Sequence, residues 1–313
     1  MHERDAILEL WKKSERSVLA TVVEVKGSAY RRAGARMLLT DRGHSAGVIN
    51  GGCLDADLYA RTQQILETGQ AQLAIYDTTS AQDIVFGLGL GCRGVVKILL
   101  EPARDLRWLG ENVTVEVGYE GEQLGTRLAD KEATRTQGTY VQKLEPPQPL
   151  LIFGAGADVA PLQSIGKTLG WDVQVFDLRA PNPERPVFVE SQFHQPDKLT
   201  KLEVPEGAAC VIMTHNFLHD LELLKTLLPS SASYIGILGP RRRTNELLEK
   251  MSEETLFPPV NATDEQLERL FAPIGLDMGA ETPEEIALSI IAEIQRVRRG
   301  KSGTSLRERG SIH

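Results

Sequence analysis

Four apolar residues, Leu150-Leu151-Ile152-Phe153, run straight into Gly154-Ala155-Gly156, and a helical pattern follows from Pro161. A continuous apolar strand is buried on both faces, which is the habit of a parallel sheet, and a glycine turn between strand and helix is how such sheets open. The rest of the C-terminal half repeats the alternation. Strands are predicted over Asp172–Phe176, Ala208–Thr214 and Ser233–Leu238, and helices over Pro161–Leu169, Phe217–Leu228, Arg241–Met251 and Pro283–Arg298. The last helix opens on Thr282-Pro283-Glu284-Glu285, a capping box with proline at the first helical position. The fold class read from this pattern is α/β, with a Rossmann-like parallel-sheet domain over residues 150–300.

The first half has a different period. A helix over residues 4–14 precedes a β-branched strand, Ser17–Val25, and short strands at Met37–Thr40 and Ala46–Ile49 flank the turn Asp41-Arg42-Gly43. A helix over Leu54–Glu67 ends at Gly69, and further strands are expected at Val95–Leu100, Val113–Val117 and Thr139–Leu144, with a polar excursion between the last two. This reads as an N-terminal mixed α/β domain, residues 1–145. Glu145-Pro146-Pro147-Gln148-Pro149 carries three prolines in four positions and is the expected linker. Residues 301–313 form a basic tail, expected to be flexible.

Composition narrows the class. At 313 residues the chain suits two cores, and a formal net charge of −8 offers no footprint for nucleic acid or anionic lipid. No apolar run approaches the roughly 20 residues that cross a bilayer, and the charged start, Met1-His2-Glu3-Arg4-Asp5, is no export signal, so a cytoplasmic protein with no membrane or nucleic-acid partner is expected. Three cysteines, Cys53, Cys92 and Cys210, without a Cys-x-x-Cys pair, argue against disulfides or structural zinc.

Several segments carry chemistry. Gly154 and Gly156 let a phosphate approach the backbone at a helix start, and Asp177, 23 positions after Gly154, is placed to meet ribose hydroxyls. The fingerprint departs from a standard dinucleotide loop at Val159, where a third glycine is expected, at Asp158, which adds negative charge, and at Pro161, which delays the helix. A phosphate-bearing ligand fits better than standard NAD binding; the plain alternative is a turn that only packs strand on helix. Gly239-Pro240-Arg241-Arg242-Arg243 puts guanidiniums in a first helical turn, where a bound anion would offset the unfavourable helix dipole, unless the turn is merely solvated. His215 and His219 are four apart, as two metal ligands would be, but no third ligand lies near, and Asn216 as a helix cap is the stronger account. Asn50-Gly51-Gly52-Cys53 sets a thiol at a helix start, the end that favours the thiolate form. Cys92 lies in Phe86-Gly87-Leu88-Gly89-Leu90-Gly91-Cys92-Arg93-Gly94, a glycine-dense loop suited to wrapping a ligand, whereas Cys210 reads as core.

Taken in order, Gly51-Gly52-Cys53-Leu54, the glycine-rich segment ending at Cys92, the Gly154 loop, Met213-Thr214-His215-Asn216, Leu238-Gly239-Pro240-Arg241-Arg242-Arg243 and Gly275-Leu276-Asp277-Met278-Gly279-Ala280 resemble the XdhC/CoxI family. The resemblance runs from about Ser17 to Gly300 and implies an accessory protein of xanthine dehydrogenase-type molybdoenzymes. Such a protein binds molybdenum cofactor, as molybdopterin or its dinucleotide form, shelters it while a terminal sulfur is added, and inserts it into the apoenzyme. It implies Cys53 and Cys92 as molybdenum-side groups. Gly52, Gly89, Gly91, Gly154, Gly156, Asp177, His215, Asn216, Gly239, Arg241 and Arg242 are the further expected cofactor contacts. A xanthine dehydrogenase-type apoenzyme, a cysteine desulfurase and a second copy of the chain in a homodimer are the expected partners. A non-enzymatic accessory role is favoured over two alternatives: an NAD(P)-dependent oxidoreductase using the Rossmann domain, and a sulfur-transfer enzyme with Cys53 as nucleophile.

Overall fold

The computed structural model describes residues 3–77, 94–121, 124–193, 199, 202–252 and 262–308. The chain divides into two compact units, parting between Pro146 and Pro147 inside the proline-rich segment.

The first unit starts with helix α1, Glu3–Lys13, and builds an antiparallel sheet from β1 (Ser17–Gly27), β2 (Arg36–Thr40), β3 (Ser45–Gly47), β4 (Gln72–Asp77) and β5 (Gly94–Pro102), in the order β3-β2-β1-β5-β4. The central strand, β1, is buried on both faces over residues 17–23. Its alternate residues serve two layers. Val18, Ala20 and Val22 pack with Leu58 and Ile65 of helix α2 (Asp55–Thr68), while Leu19 packs with Ile7 of α1. Val23 joins Val117 of a second, three-stranded antiparallel sheet. That sheet has the order β7-β6-β8, from β6 (Thr114–Gly118), β7 (Gly125–Ala129) and β8 (Thr139–Lys143). Helix α2 stops where Gly69 takes the left-handed conformation, as its sequence requires.

The second unit is a parallel sheet of β9 (Pro149–Phe153), β10 (Asp172–Asp177), β11 (Gln192–Phe193), β12 (Ala209–Ile212), β13 (Tyr234–Ile237) and β14 (Leu270–Phe271), in the order β11-β10-β9-β12-β13-β14. Counted within the unit this is 3-2-1-4-5-6, the Rossmann order. Helices are α3 (Val159–Thr168), α4 (Phe217–Leu227), α5 (Arg241–Ser252), α6 (Asp264–Glu268) and α7 (Pro283–Arg298). One sheet face, with Leu151, Phe153, Cys210 and Ile235, packs on Leu221, Leu224 and Leu247 of α4 and α5. The other, with Leu150, Ile152, Val211 and Tyr234, packs on Leu162 of α3 and Ile290 and Ile294 of α7. Both faces being covered explains why these strands read as unbroken apolar runs.

The structure corrects several sequence-based expectations. Helix α3 begins at Val159, before Pro161, because a proline in the first turn blocks no hydrogen bond that the helix would otherwise make. The polar excursion holds β7, whose burial is only partial, and β4, β11 and β14 escaped notice because they are sheet edges or two residues long. No helix among the described residues is long and apolar enough to cross a membrane.

Candidate functional site

In the second unit, the chain leaves β9 toward β10 on one side and leaves β12 toward β13 on the other, so a crevice opens beyond the carboxyl ends of β9 and β12. Gly154 stands at its floor with φ +129°. A Cβ there would overlap the Met213 carbonyl oxygen and lie 2.8 Å from its carbon, so only glycine lets the two loops touch backbone to backbone. Gly154 N–H donates to the Phe176 carbonyl at 2.8 Å, and Met213 N–H to that of Phe153 at 2.8 Å. At Gly156 a Cβ would come 2.5 Å from Asp158 Oδ1, an atom on a side chain that can turn away.

Asp158 precedes α3 yet makes no capping bond. Its carboxylate is instead 2.8 Å from His215 Nε2 across the crevice. His215 holds φ +54°, the one positive φ at a non-glycine residue among those described. Next to it, Asn216 caps α4 by accepting from the N–H groups of Leu218 and His219 at 3.0 and 3.2 Å. His215 thus lies outside the helix, so His215 and His219 do not share a helix face, and no cluster of three metal-ligating side chains occurs among the described residues.

Behind this edge Asp220 is 2% exposed. One of its oxygens accepts from the Thr214 hydroxyl and the other from Arg243, at 2.7 Å from Nη2. Of the three adjacent arginines, Arg243 is therefore the one tied into the fold, and the guanidinium stands over the Phe217 ring. Arg242 bonds Glu246 one helical turn on, at 2.8 Å, and Arg241 is exposed. Gly239, with φ +151°, lies beside the Arg243 side chain.

Asp177 ends β10 where an acidic residue was expected, but its acceptors are engaged. Oδ1 accepts from Arg179 N–H at 3.0 Å and Nε at 2.8 Å, and Oδ2 from Nη2 at 2.8 Å. Arg185 Nη1 is 3.9 Å from Oδ2. Burial pushes the Asp177 carboxyl up, yet the Arg179 bonds and the nearby positive charges outweigh it and the net shift is downward. Arg179 Nη2 also donates to the Ala155 carbonyl at 3.2 Å, fastening this pair to the glycine loop. Sequence reading missed both arginines, because nothing in their local pattern sets them apart from solvated loop residues.

In the first unit, Asn50 organises the turn before α2. Its Oδ1 accepts from Gly52 N–H at 2.5 Å and Leu54 N–H at 3.3 Å, with Cys53 Sγ 3.9 Å away, and its Nδ2 donates to Asp55 at 3.0 Å. Gly52 takes φ +97°. Cys53 is exposed and free, while Cys210 is fully buried in β12, where burial pushes its thiol up to about 12. The register brings the ends of β1 and β4 and the start of β5 together at one end of the sheet, whereas β3, from which the Cys53 turn follows, ends at Gly47, level with Ala20 in the first half of β1. Gly89, Gly91 and Cys92 lie outside the described residues.

The second unit is thus a Rossmann domain by strand order and by its glycine-floored crevice. Residues 150–294 match the XdhC Rossmann domain, and residues 10–77 match the XdhC and CoxI family. A probable xanthine dehydrogenase subunit from Bacillus subtilis (strain 168) is 31% identical, the alignment covering 94% of this chain and 96% of that protein. The molybdenum cofactor insertion chaperone PaoD of Escherichia coli (strain K12) is 26% identical over 90% of this chain and 83% of its own length. A crystal structure from Bacillus halodurans, described as a xanthine dehydrogenase, superposes with a TM-score of 0.77 at 29% identity, covering 98% of both chains. The chain belongs to the XdhC/CoxI family.

Proposed function

We propose that this protein is a molybdenum cofactor chaperone that holds the cofactor as cargo and delivers it to a xanthine dehydrogenase-type apoenzyme. The observation that carries the reading is the exposed Cys53 thiol, presented by an Asn50-capped glycine turn, in a chain related over nine-tenths of its length to a molybdenum cofactor insertion chaperone. A soft sulfur donor suits molybdenum, and two flanking glycines leave room for a bulky ligand. Cys53 is the molybdenum-side group in this reading, with Gly52 beside it; Cys92, Gly89 and Gly91 complete that side. In the second unit taken by itself, the crevice at Gly154, Gly156, Asp177, His215 and Asn216, with Gly239, Arg241 and Arg242 at its rim, is assigned to a phosphate-bearing ligand. Shelter of the sulfurated cofactor, supply of that sulfur by a cysteine desulfurase, a cytoplasmic location and a homodimer belong to the same reading.

The test is to purify wild type and Cys53→Ala from cells that make molybdopterin and to measure bound pterin and activation of an apo-molybdoenzyme. Wild type should retain pterin and activate, and the variant should lose both. Equal pterin in the two proteins, or none in either, refutes the reading. An NAD(P)-dependent oxidoreductase remains the rival, favoured by the 3-2-1-4-5-6 strand order. It requires pterin-independent oxidation of NADH or NADPH.

A further inference from the structure

Beside the glycine loop, on the β10–β11 side of the second unit, lies a cleft of about 400 Å³. Its lining includes Ala155, Asp177, Arg179, Arg185, Phe188 and Phe193. Three features of it agree. The first is charge: among the residues lining the cleft one carboxylate, Asp177, faces two guanidiniums, those of Arg179 and Arg185, with Asp158 of the adjoining glycine loop also acting on Arg179. The second is saturation of the acid. At the end of the second strand of a Rossmann sheet an Asp normally accepts from ribose hydroxyls, but here both oxygens of Asp177 already accept from Arg179, which is pinned from its other side by the Ala155 carbonyl. A bare ribose diol would have to displace a bidentate ion pair, whereas an anion adds to it. The third is apolar surface: Phe188 and Phe193 are 52% and 44% exposed on the same cleft, where flat rings give a base something to stack on.

We propose that this cleft binds a ribonucleotide through a phosphomonoester on its ribose, with Arg179 and Arg185 taking the phosphate and Phe188 and Phe193 flanking the base. With Nε and Nη2 engaged by Asp177 and Ala155, Arg179 offers a phosphate the N–H groups of Nη1, and Arg185 adds a second guanidinium on the same cleft. The proposal rests on residues of the second unit alone and does not need Cys53 or pterin, so it stands or falls apart from the chaperone reading.

The experiment is calorimetric titration of the full-length protein with 2′,5′-ADP, AMP, adenosine, ribose 5-phosphate and inorganic phosphate. The adenosine 2′-phosphate group of 2′,5′-ADP also occurs in NADPH, so NADPH and NADH are run as a pair, and CMP against AMP reports whether the base must be a purine. Expected is binding of 2′,5′-ADP, tighter than AMP, with adenosine, ribose 5-phosphate and free phosphate each at least about tenfold weaker, a difference of about 1.4 kcal/mol. Arg185→Ala should weaken 2′,5′-ADP about tenfold with unchanged melting, and Arg185→Lys should recover part of the loss. The decisive variant is Asp177→Asn. Removing that carboxylate frees guanidinium donors and raises the local charge, so 2′,5′-ADP should bind more tightly. Weaker binding by Asp177→Asn would mean the carboxylate contacts the ribose and overturns the proposal. So would equal affinity for adenosine and 2′,5′-ADP, or no heat with any nucleotide at millimolar concentration.

Discussion

Gly154→Ala tests the architecture of the crevice through a clash that the backbone cannot avoid. At φ +129° a residue with a Cβ is strained by about 1–3 kcal/mol. The added carbon would overlap the Met213 carbonyl oxygen and stand 2.8 Å from its carbon, and both are main-chain atoms. Relief requires moving the end of β12 against its bond to Phe153, at about 1–3 kcal/mol more. The combined effect is about 4 kcal/mol, or roughly a 10 °C fall in melting temperature at 2–4 °C per kcal/mol for a unit of this size. Gly207→Ala in the same unit is the control: its φ is +71°, but a Cβ there meets nothing within 4 Å. It carries only the conformational cost, about 1 kcal/mol and about 3 °C. Differential scanning calorimetry of the three full-length proteins at one scan rate measures both shifts. Equal shifts for the two variants, or a Gly154→Ala shift no larger than about 3 °C, would refute the steric argument.

Three further outcomes concern side chains. In the folded protein iodoacetamide should modify the Cys53 peptide promptly and the Cys210 peptide only after denaturation, as mapped by mass spectrometry; comparable rates would contradict the burial of β12. Asp220→Ala strips the partner from Arg243 and Thr214 and should cost about 3 kcal/mol in urea unfolding, with a loss under about 1 kcal/mol counting against that network. Tyr234 is buried, and burial together with its 2.7 Å bond to Glu293 raises its phenol well above the ordinary 10. A raised folded value means the contribution is intact below pH 10 and fades above it. The stability gap between wild type and Tyr234→Phe, about 1–2 kcal/mol at neutral pH, should therefore narrow as pH passes 10. A gap independent of pH would remove that assignment.

What sequence reading reached was set by the range of the interaction. The apolar strand from Leu150, the Thr282–Glu285 capping box and the Gly69 stop are each encoded in a short local pattern, and each stands where that pattern placed it. Asn216 as a cap is equally local. By contrast, Asp158 meets His215 across 57 positions and Arg179 meets Ala155 across 24, and no periodicity encodes such pairs. Among the three arginines after Pro240, the choice of Arg243 over Arg241 and Arg242 depends on which face of α5 turns toward Asp220, a fact of packing. Edge strands stayed hidden for a related reason: β4 leaves Ile75 58% exposed, so its alternation does not stand out as a buried face would.

The contact between Gly154 and Met213 has a wider consequence. With no side chain between them, the two loops share a seam, and a shift of one is transmitted to the other without an intermediary. Substitutions at 154–158 and at 213–216 should therefore combine non-additively, their double-mutant energies departing from the sum by more than the few tenths of a kcal/mol typical of independent positions.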